Sequence, residues 1–399
     1  MNILFLTLSN MEDINVRGIY SDLIREMDKK NINTYVVTPR EKRSGLSTEK
    51  ERINNINILK VQTGNITKAG MIEKGISTIK IERQYLNAIK KYFKDVKFDM
   101  IMYSTPPITF EKVIKYFKRK QDSKTYLILK DIFPQNAVDI NLFKKNNLIW
   151  KYFRKKEKRL YEISDMIGCM SQANVDYIFN HNNISKDKLE IFPNSIKPLA
   201  RQNRNVEGSV IYDKYQIPKD AVLFVYGGNL GKPQGIDFLI EVIERFSEVQ
   251  NGYLLIVGSG TEYGRINNYM SKNNPDNVKL LEKLPKEIYD QLLNITDIGL
   301  IFLDRRFTIP NFPSRLTAYM ENSIPVLAAT DINTDLKDVL EESNSGYWCE
   351  SDKVNDFIEK ANALTSNKED RLKKGVNGRE YLEENYDVTK TVDIILKHL

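Results

Sequence analysis

The sequence predicts an α/β protein made of two Rossmann-like domains. In both halves of the chain, short apolar runs typical of buried strands alternate with segments whose apolar residues have helical spacing. This alternation stops over a polar stretch at 197–218 and then starts again. With 399 residues, the chain is long enough for two hydrophobic cores. The expected domains are therefore 1–196 and 219–378, joined by a linker at 197–218 and followed by a helical tail at 379–399.

The predicted strands of the first half are short apolar runs that end in small or polar residues. The first run is followed by a helix after Gly18, in which Ile19, Leu23 and Met27 have helical spacing. Strands that alternate with helices in this way indicate a parallel sheet built from βαβ units. The runs are NILFLTL, NTYVVTP, FDMIMYST, TYLILKD, DMIGCMS and LEIFPNS.

The second half repeats the pattern after a polar linker. The linker contains Pro198, Gly208 and Pro218 and has little periodicity, which is typical of a domain boundary. The predicted strands that follow are AVLFVYGGNL, GYLLIVGSG, DIGLIFLD and PVLAAT, and the predicted helices are GIDFLIEVIERFSEV and KLPKEIYDQLLNIT. The tail from Arg379 onwards has helical spacing around an interruption near 385–389.

Composition excludes several classes of protein. Hydrophobic residues make up 41% of the chain and charged residues 28%, which is ordinary for a soluble globular protein. No apolar stretch approaches the roughly 18 residues that a membrane span needs, and the N-terminus lacks the basic region of a signal peptide. Cys169 and Cys349 are far apart, which suits a reducing cytoplasm. His181 and His398 are the only histidines, so a multi-histidine metal site is excluded.

The net charge of +7 is concentrated in one stretch. Residues 141–160 hold eight Lys or Arg against one Glu, interleaved with aromatic and aliphatic side chains. This combination favours contact with an anionic membrane surface, although an ordinary helix with its lysines in water has the same pattern. A single basic patch does not indicate nucleic-acid binding. The expected membrane contacts are Lys144, Lys145, Trp150, Lys151, Phe153, Arg154 and Lys155.

Two glycine-rich segments follow strands of the second half, where doubly wound folds bind ligands. In YGGNLGKPQG, Gly228, Asn229 and Gly231 allow close approach of the backbone to a ligand, and Lys232 can neutralise a phosphate. GSGTEYG repeats the arrangement with Gly258 and Gly260. Each segment alone is equally compatible with a tight strand-to-helix turn.

A third strand end carries a fixed cation. In NFPSRLTAYM, Pro313 and Ser314 resemble the entry to a helix that the serine oxygen caps, which puts Arg315 in the first turn. A cation is unfavourable there unless an anion is bound with it. Three such strand ends predict a diphosphate site, although Arg315 alone has the alternative of a solvated surface residue. Leu284 and Pro285 offer an apolar surface for a nucleobase or simply begin a packed helix.

Different chemistry is predicted in the first half. Lys130 and Asp131 end a strand, and the carboxylate could position a hydroxyl or accept its proton. A helix cap or turn is the alternative for Asp131. Ser104 and Thr105 precede a double proline that could line the same cleft, and Gly18 could let the first helix approach a substrate.

Taken in order, these segments resemble the family-4 glycosyltransferases, particularly bacterial capsule and O-antigen enzymes. The motifs are GIYSDLIREM, LKDIFPQNAV, GCMSQANVDYI, IFPNSI, YGGNLGKPQGIDFLIEV, LIVGSGTEYG and FPSRLTAYMENSIPVLAAT. The resemblance implies a GT-B fold, in which two Rossmann-like domains face a cleft and a C-terminal helix crosses back to the first domain. It implies sugar transfer with retention from a nucleotide-sugar donor, with UDP favoured and no cofactor required. The expected acceptor is a lipid-linked saccharide at the inner face of the cytoplasmic membrane, in surface polysaccharide synthesis.

The resemblance also implies roles for individual residues. The second domain would bind the nucleotide sugar and the first the acceptor. Asp131, Lys232 and Arg315 would act in catalysis, since the two cations can stabilise the departing diphosphate. The donor residues would be Gly18, Gly228, Asn229, Gly231, Lys232, Gly258, Gly260, Leu284, Pro313, Ser314 and Arg315. The acceptor-side residues would be Ser104, Thr105, Lys130 and Asp131.

One departure from the family pattern leaves alternatives open. Many members have paired glutamates, which would align near Pro310 and at Ala318, and neither position is Glu here. Glu321 lies three residues after Ala318 and is not a substitute. A non-catalytic partner subunit that keeps the fold is therefore one alternative. A nucleotide-sugar epimerase with the same architecture is another, although its chemistry would use more histidines than this chain has.

Overall fold

The protein forms two compact units, each built on its own sheet. The first unit contains Met1–Lys197 and Tyr386–Leu399, and the second contains Pro198–Asn385. The predicted architecture of two Rossmann-like domains is confirmed, because both sheets are parallel or nearly so. The computed structural model describes three stretches of the chain, residues 1–66, 70–201 and 210–399.

The first unit is built on an eight-stranded sheet with the order β3-β4-β2-β1-β5-β6-β7-β8. All neighbouring strands are parallel except β3 and β4, which pair antiparallel. The central strands are buried on both faces, which explains their uninterrupted apolar runs. The strands are β1 (Asn2–Leu6), β2 (Asn33–Glu41), β3 (Glu49–Ile53), β4 (Ile56–Thr63), β5 (Met100–Ser104), β6 (Lys124–Leu129), β7 (Met166–Cys169) and β8 (Leu189–Ile191).

Helices connect the parallel strands of this sheet, as βαβ units require. The first helix begins directly after Gly18, as the sequence predicts, and buries Leu23, Ile24 and Met27. The helices up to the end of the first sheet are α1 (Ile19–Lys29), α2 (Met71–Tyr92), α3 (Glu111–Gln121), α4 (Gln135–Asp139), α5 (Leu148–Ile163) and α6 (Gln172–His181).

The second unit is built on a six-stranded parallel sheet with the order β11-β10-β9-β12-β13-β14. The sheet has a mixed core of aliphatic and aromatic side chains, among them Tyr226, Phe302 and Phe357. Its strands are β9 (Val222–Asn229), β10 (Gly252–Ser259), β11 (Val278–Glu282), β12 (Ile298–Phe302), β13 (Val326–Thr330) and β14 (Gly346–Glu350). Its helices are α7 (Val210–Tyr215), α8 (Ile236–Arg245), α9 (Tyr263–Asn273), α10 (Lys286–Ile295), α11 (Arg315–Glu321), α12 (Leu336–Glu342), α13 (Val354–Ser366) and α14 (Lys368–Asn385).

The stretch expected to be a linker, 197–218, contains structure of its own. Residues 202–209 lie outside the described residues. Beyond them, α7 packs Ile211 and Tyr212 against the core of the second unit, together with Ile217. These apolar side chains explain why the end of the stretch belongs to a domain rather than to a connection.

The tail expected at 379–399 is divided between the two units. Helix α14 continues to Asn385, so the first residues of the tail belong to the second unit. The last helix, α15 (Val388–Leu396), belongs to the first unit, as the GT-B pattern requires. The Asp387 side chain caps α15 by accepting a hydrogen bond from the Thr389 backbone N–H at 2.8 Å. This cap accounts for the interruption that the sequence shows near 385–389.

Candidate functional site

A cavity of about 620 Å³ opens at the carboxyl ends of β9 and β10 in the second unit. This is the edge of a parallel sheet at which ligands bind in doubly wound folds. One side of the cavity is glycine-rich backbone, and the other side is formed by the segment that leads into α10. The lining residues are Gly227, Gly228, Asn229, Val257, Gly258, Ser259, Lys283, Leu284, Pro285, Lys286 and Tyr289.

Glycine is required where the two strand ends meet. Gly228 pairs with Gly258 in the register of β9 and β10. A Cβ atom at Gly258 would lie 2.1 Å from the Gly228 carbonyl oxygen, so a side chain does not fit there. Gly228 itself has a φ of +142°, which side-chain-bearing residues rarely adopt. The backbone of this loop is therefore exposed to the cavity without side chains in front of it.

Arg315 lies against the same glycine loop. Its Cζ atom is 4.3 Å from the centre of the Tyr226 ring, which is stacking distance for a cation. A Cβ atom at Gly228 would come within 2.9 Å of the Arg315 Nη2 atom. Nη1 is buried and has no hydrogen-bond partner among the described residues. The structure thus brings together Gly228 and Arg315, which the sequence placed in one site from segments far apart in the chain.

The expectation that Ser314 caps the following helix is wrong. Ser314 already has helical backbone angles, with φ −65° and ψ −18°, and its side chain makes no capping hydrogen bond. A capping residue needs an extended backbone so that its oxygen can turn back to the helix N–H groups. Helix α11 does begin at Arg315, as expected, but it is only seven residues long. Pro313, Ser314 and Arg315 are not among the residues that line the cavity, and Arg315 lies next to it through its contact with Gly228.

The other predicted donor residues are spread around this edge of the sheet. Asn229 lines the cavity, and its side chain donates a hydrogen bond to the Gln234 Oε1 atom at 2.9 Å. Gly231 leads into a short 3₁₀ turn, Lys232–Gln234, in which Lys232 is exposed. Gly260 packs under the Leu230 backbone, where a Cβ atom would lie 2.3 Å from a carbonyl oxygen. Of this group, only Asn229 is among the lining residues.

Both interpretations of Leu284 and Pro285 fit the structure. The two residues line the cavity, and Pro285 also precedes the first residue of α10. Tyr289, one helical turn after Pro285, lines the cavity as well and was missed from the sequence. Its hydroxyl lies so close to Gly227 that a Cβ atom there would be 1.9 Å away. The helical spacing from Pro285 is the one signal that could have indicated Tyr289.

In the first unit, three of the four predicted acceptor-side residues, Thr105, Lys130 and Asp131, form one hydrogen-bonded cluster. The Thr105 hydroxyl accepts hydrogen bonds from the backbone N–H groups of Lys130 and Asp131, at 3.0 and 3.2 Å. The Lys130 ammonium donates to the Asn194 Oδ1 atom at 2.5 Å. Ser104, at the end of β5, is buried and donates to the Thr7 hydroxyl at 3.3 Å. The ends of β5 and β6 therefore place Thr105, Lys130 and Asp131 side by side.

The charges of this cluster are strongly affected by burial. Burial raises the pKa of the Asp131 carboxyl, and the neighbouring Lys130 ammonium only partly opposes this. Burial also lowers the pKa of Lys130, against the opposing effect of Asp131. The Asp131 carboxylate accepts no hydrogen bond from another described residue, so it caps no helix and closes no turn. Gly18 lies directly before α1 with an extended backbone, φ 176°, and is exposed.

The basic stretch 141–160 includes α5, and some of its side chains contact the rest of the first unit while others are exposed. Phe153 packs on Phe133 with ring centres 5.0 Å apart, and Arg154 pairs with Glu157 and donates to Asn182 at 2.7 Å. Trp150 is half-buried. These three predicted membrane contacts are thus at least partly engaged within the unit. The side chains that remain exposed are Asn141, Leu142, Lys144, Lys145, Asn146, Leu148, Ile149, Lys151, Tyr152, Lys155 and Lys158.

Two features are absent from the described residues. Across 1–66, 70–201 and 210–399, no three His, Cys, Asp or Glu side chains are grouped in a way that could hold a metal ion. Within the same residues, none of the helices combines the length and the apolar character needed to cross a bilayer.

Comparison with known proteins identifies the class to which this site belongs. Residues 210–381, most of the second unit, match the family model described as "Glycosyl transferases group 1". The chain is 18% identical over 302 residues to a probable glycosyltransferase, WbjE, of Pseudomonas aeruginosa, covering 71% of this chain and 69% of that protein. Residues 210–381 are therefore similar to glycosyl transferases group 1, and the prediction of a glycosyltransferase is confirmed.

Solved structures show the same fold over the whole chain. Sucrose-phosphate synthase from Thermosynechococcus elongatus matches with a TM-score of 0.77 at 14% identity, covering 100% of this chain and 98% of that one. HepE from Anabaena, solved in complex with UDP-glucose, matches with a TM-score of 0.69 at 14% identity, covering 100% of both chains. At such identities the likeness concerns the fold, which is the GT-B fold that the sequence predicts.

Proposed function

We propose that this protein transfers a sugar from a UDP-sugar to a lipid-linked saccharide, with retention of configuration at the anomeric carbon. The second unit binds the donor in the cavity beside Gly228 and Arg315. The first unit binds the acceptor near Lys130 and Asp131. The reaction is a step in the synthesis of a surface polysaccharide, of the capsule or O-antigen type that the sequence motifs resemble.

The buried Nη1 atom of Arg315, which has no hydrogen-bond partner among the described residues, is the observation that carries the donor proposal. A buried charge without a partner is costly, and buried polar groups are normally hydrogen-bonded. The Arg315 Nη1 atom has no partner among the described residues, and the adjacent loop presents bare glycine backbone. A diphosphate in the cavity would supply the missing acceptor, since guanidinium and phosphate form strong charge-assisted hydrogen bonds. UDP-glucose bound to the similarly folded HepE supports the choice of UDP.

The proposed transfer exchanges one bond to the anomeric carbon for another. The bond between this carbon and the donor phosphate oxygen breaks, and UDP leaves with the bonding electrons. The acceptor hydroxyl oxygen forms the new bond and loses its proton. Negative charge builds on the departing diphosphate, and Arg315 and Lys232 stabilise it electrostatically, so that no cofactor is required.

Asp131 is the proposed acceptor of the hydroxyl proton. Its carboxylate has no hydrogen bond to another described residue, and burial raises its pKa, which makes it a better base than an ordinary aspartate. Thr105 holds the backbone N–H of Asp131 at 3.2 Å and thereby fixes the position of the residue.

The exposed part of the basic stretch supports docking on the inner face of the cytoplasmic membrane. Leu148 is 84% exposed and Ile149 is 54% exposed, at the start of α5. Exposed apolar side chains among lysines are suited to an interface where apolar groups insert and ammonium groups meet anionic headgroups. We therefore place the protein in the cytoplasm as a peripheral membrane enzyme, with Lys144, Lys145 and Lys151 among the contacts.

The donor proposal is tested by calorimetric titration of the purified protein with UDP, GDP, ADP and dTDP, without added metal. UDP is expected to bind most tightly. Preference for another diphosphate would correct the base, and no binding of any would contradict the donor site.

The reaction class is tested by incubating the enzyme with UDP-sugars in the presence and absence of a lipid-linked saccharide. Transfer that depends on the acceptor is expected. Interconversion of the UDP-sugar without acceptor would indicate an epimerase instead. Binding of UDP without turnover on any acceptor would favour the non-catalytic partner, which the absence of glutamate at Pro310 and Ala318 supports.

A further inference from the structure

Three tyrosines surround the cation of the proposed donor site. Tyr226 lies under the Arg315 guanidinium, with 4.3 Å between Cζ and the ring centre. Tyr319 is one helical turn from Arg315 along α11. Tyr289 reaches the same place from α10 and lines the cavity. The side chains of Tyr226, Tyr289 and Tyr319 are here called the tyrosine cage.

The cage is anchored to the sheet rather than to other side chains. The Tyr226 hydroxyl donates to the Asn229 carbonyl oxygen at 2.8 Å, within the glycine loop. The Tyr319 hydroxyl donates to the carbonyl oxygens of Val225 and Leu300, at 3.0 and 3.2 Å, and so ties α11 to β9 and β12. These hydrogen bonds hold both the ring under Arg315 and the helix that carries Arg315.

The cage carries no charge at physiological pH. Burial raises the pKa of Tyr226, of Tyr289 and of Tyr319 above that of an ordinary tyrosine, so all three phenols keep their protons. None of the described carboxylates forms an ion pair with Arg315. The usual partner of a buried arginine is a carboxylate, which would neutralise it. In this site the face of the Tyr226 ring takes the place of the carboxylate.

We infer that the tyrosine cage holds Arg315 against Gly228, in the glycine loop that lines the cavity, while leaving its positive charge available for a diphosphate. This inference rests on the proposed donor site and adds how Arg315 is held there. The electron-rich face of Tyr226 stabilises the cation from one side, and the Nη1 donor of the guanidinium is left without a partner among the described residues. Tyr226, Tyr289 and Tyr319 are positioning residues, since they act through Arg315.

The inference makes ligand affinity depend on the electron density of the ring at position 226. If the ring attracts the cation less strongly, Arg315 leaves its place more often. The apparent affinity then falls in proportion to the fraction of molecules with Arg315 in place. Ring fluorination lowers the electron density at almost constant size, so packing in the core is preserved.

The experiment compares Tyr226→Phe with the same position carrying phenylalanine with one, two or three ring fluorines. UDP affinity is measured by calorimetry, and uridine affinity by ligand-observed NMR. We expect Tyr226→Phe to keep UDP affinity within about threefold, and the trifluorinated ring to weaken it about tenfold. Uridine affinity should not change along the series, because uridine carries no phosphate. Each added fluorine should weaken UDP binding further.

Repeating the fluorination series at position 226 in an Arg315→Ala background separates the role of the tyrosine cage from the proposed donor site. There, fluorination should leave UDP affinity unchanged. An equal loss for UDP and uridine, a loss that persists without Arg315, or no loss along the series would overturn the role of the cage. If Arg315→Ala alone leaves UDP affinity unchanged, or if the unmodified protein binds no UDP, the proposed donor site itself fails and the inference fails with it.

Discussion

Arg40 and Arg315 both lie near the carboxyl ends of parallel strands, one in each unit, but their surroundings differ. Arg40, in β2, has a side chain that is only 6% exposed. It donates to both carboxylate oxygens of Glu12, at 2.9 and 2.7 Å, and to Glu49 at 2.9 Å. Arg315 is stacked on Tyr226 and has no carboxylate partner among the described residues.

We interpret this difference as one between a structural cation, Arg40, and the proposed binding cation, Arg315. The carboxylates around Arg40 use its donors and offset its charge, so little remains for a ligand. The Arg40 guanidinium, through its hydrogen bonds, also holds the pKa of Glu12 below its usual range. Arg315 keeps both its charge and a free donor. Lys130 lies between these two cases, because its ammonium donates to Asn194 and has the single carboxylate of Asp131 beside it. A charge that is partly offset in this way is better suited to contact a neutral hydroxyl than a diphosphate.

Asp131→Asn should have the largest effect, on turnover. We expect the rate to fall about 1,000-fold, because a positioned general base contributes roughly this much. UDP affinity should not change, because Asp131 lies in the first unit. Steady-state kinetics with acceptor and calorimetry with UDP would check both statements. An unchanged rate, or an equal loss of UDP affinity, would remove Asp131 from its proposed role.

The dependence of the rate on pH gives a second comparison between the unmodified enzyme and Asp131→Asn. Because burial raises the pKa of Asp131, its carboxylate is protonated at a higher pH than an ordinary aspartate, and the active base is lost as the pH falls through that raised value. Its charged neighbour is Lys130, and the Tyr20 phenol lies close to it. The acid limb of the rate profile should therefore be present in the unmodified enzyme and absent from the residual activity of Asp131→Asn. A shared acid limb would assign it to another group.

Membrane docking should depend on exposed lysines rather than on paired cations. Replacing Lys144, Lys145, Lys151 and Lys155 by glutamine should weaken binding to vesicles of anionic phospholipid about 1,000-fold at low salt, since each basic residue contributes about 1 kcal/mol and about 1.4 kcal/mol corresponds to a factor of ten. Vesicle co-sedimentation measures this. A matched variant that removes four other exposed lysines of the first unit, Lys91, Lys94, Lys97 and Lys120, should bind almost normally. Equal losses in the two variants would mean that only net charge matters.

Arg40→Ala should have the smallest effect, confined to stability. We expect a loss of about 2 kcal/mol in the free energy of unfolding, because three hydrogen bonds to charged groups are removed while the carboxylates can turn to water. Urea unfolding followed by tryptophan fluorescence measures the change. Arg245→Ala, which breaks only a surface ion pair with Glu248, is the control and should change stability by less than about 1 kcal/mol.

The sequence predicted most of the central strands, and it singled out the glycine loop and Arg315, which the structure brings together. It did not predict β4, in which the buried polar residues Asn57 and Lys60 interrupt the apolar run. It also missed the edge strands β3, β11 and β14, whose side chains are partly exposed and lack a clean apolar run. The tyrosine cage was also missed, because Tyr226, Tyr289 and Tyr319 come from three separate segments. Tyr289 and Tyr319 reach Tyr226 because α10 and α11 both pack their tyrosines against β9, which lies next to β12 in the sheet, and strand order cannot be read from local patterns.

The most direct test of the account is calorimetric titration of UDP into three proteins: the unmodified enzyme, Arg315→Ala and Arg40→Ala. The account predicts about 100-fold weaker binding for Arg315→Ala, from the loss of charge-assisted hydrogen bonds, and unchanged binding for Arg40→Ala. Unchanged binding in Arg315→Ala, or the same loss in both variants, would contradict the claim that an unpaired arginine held by tyrosines binds the donor diphosphate.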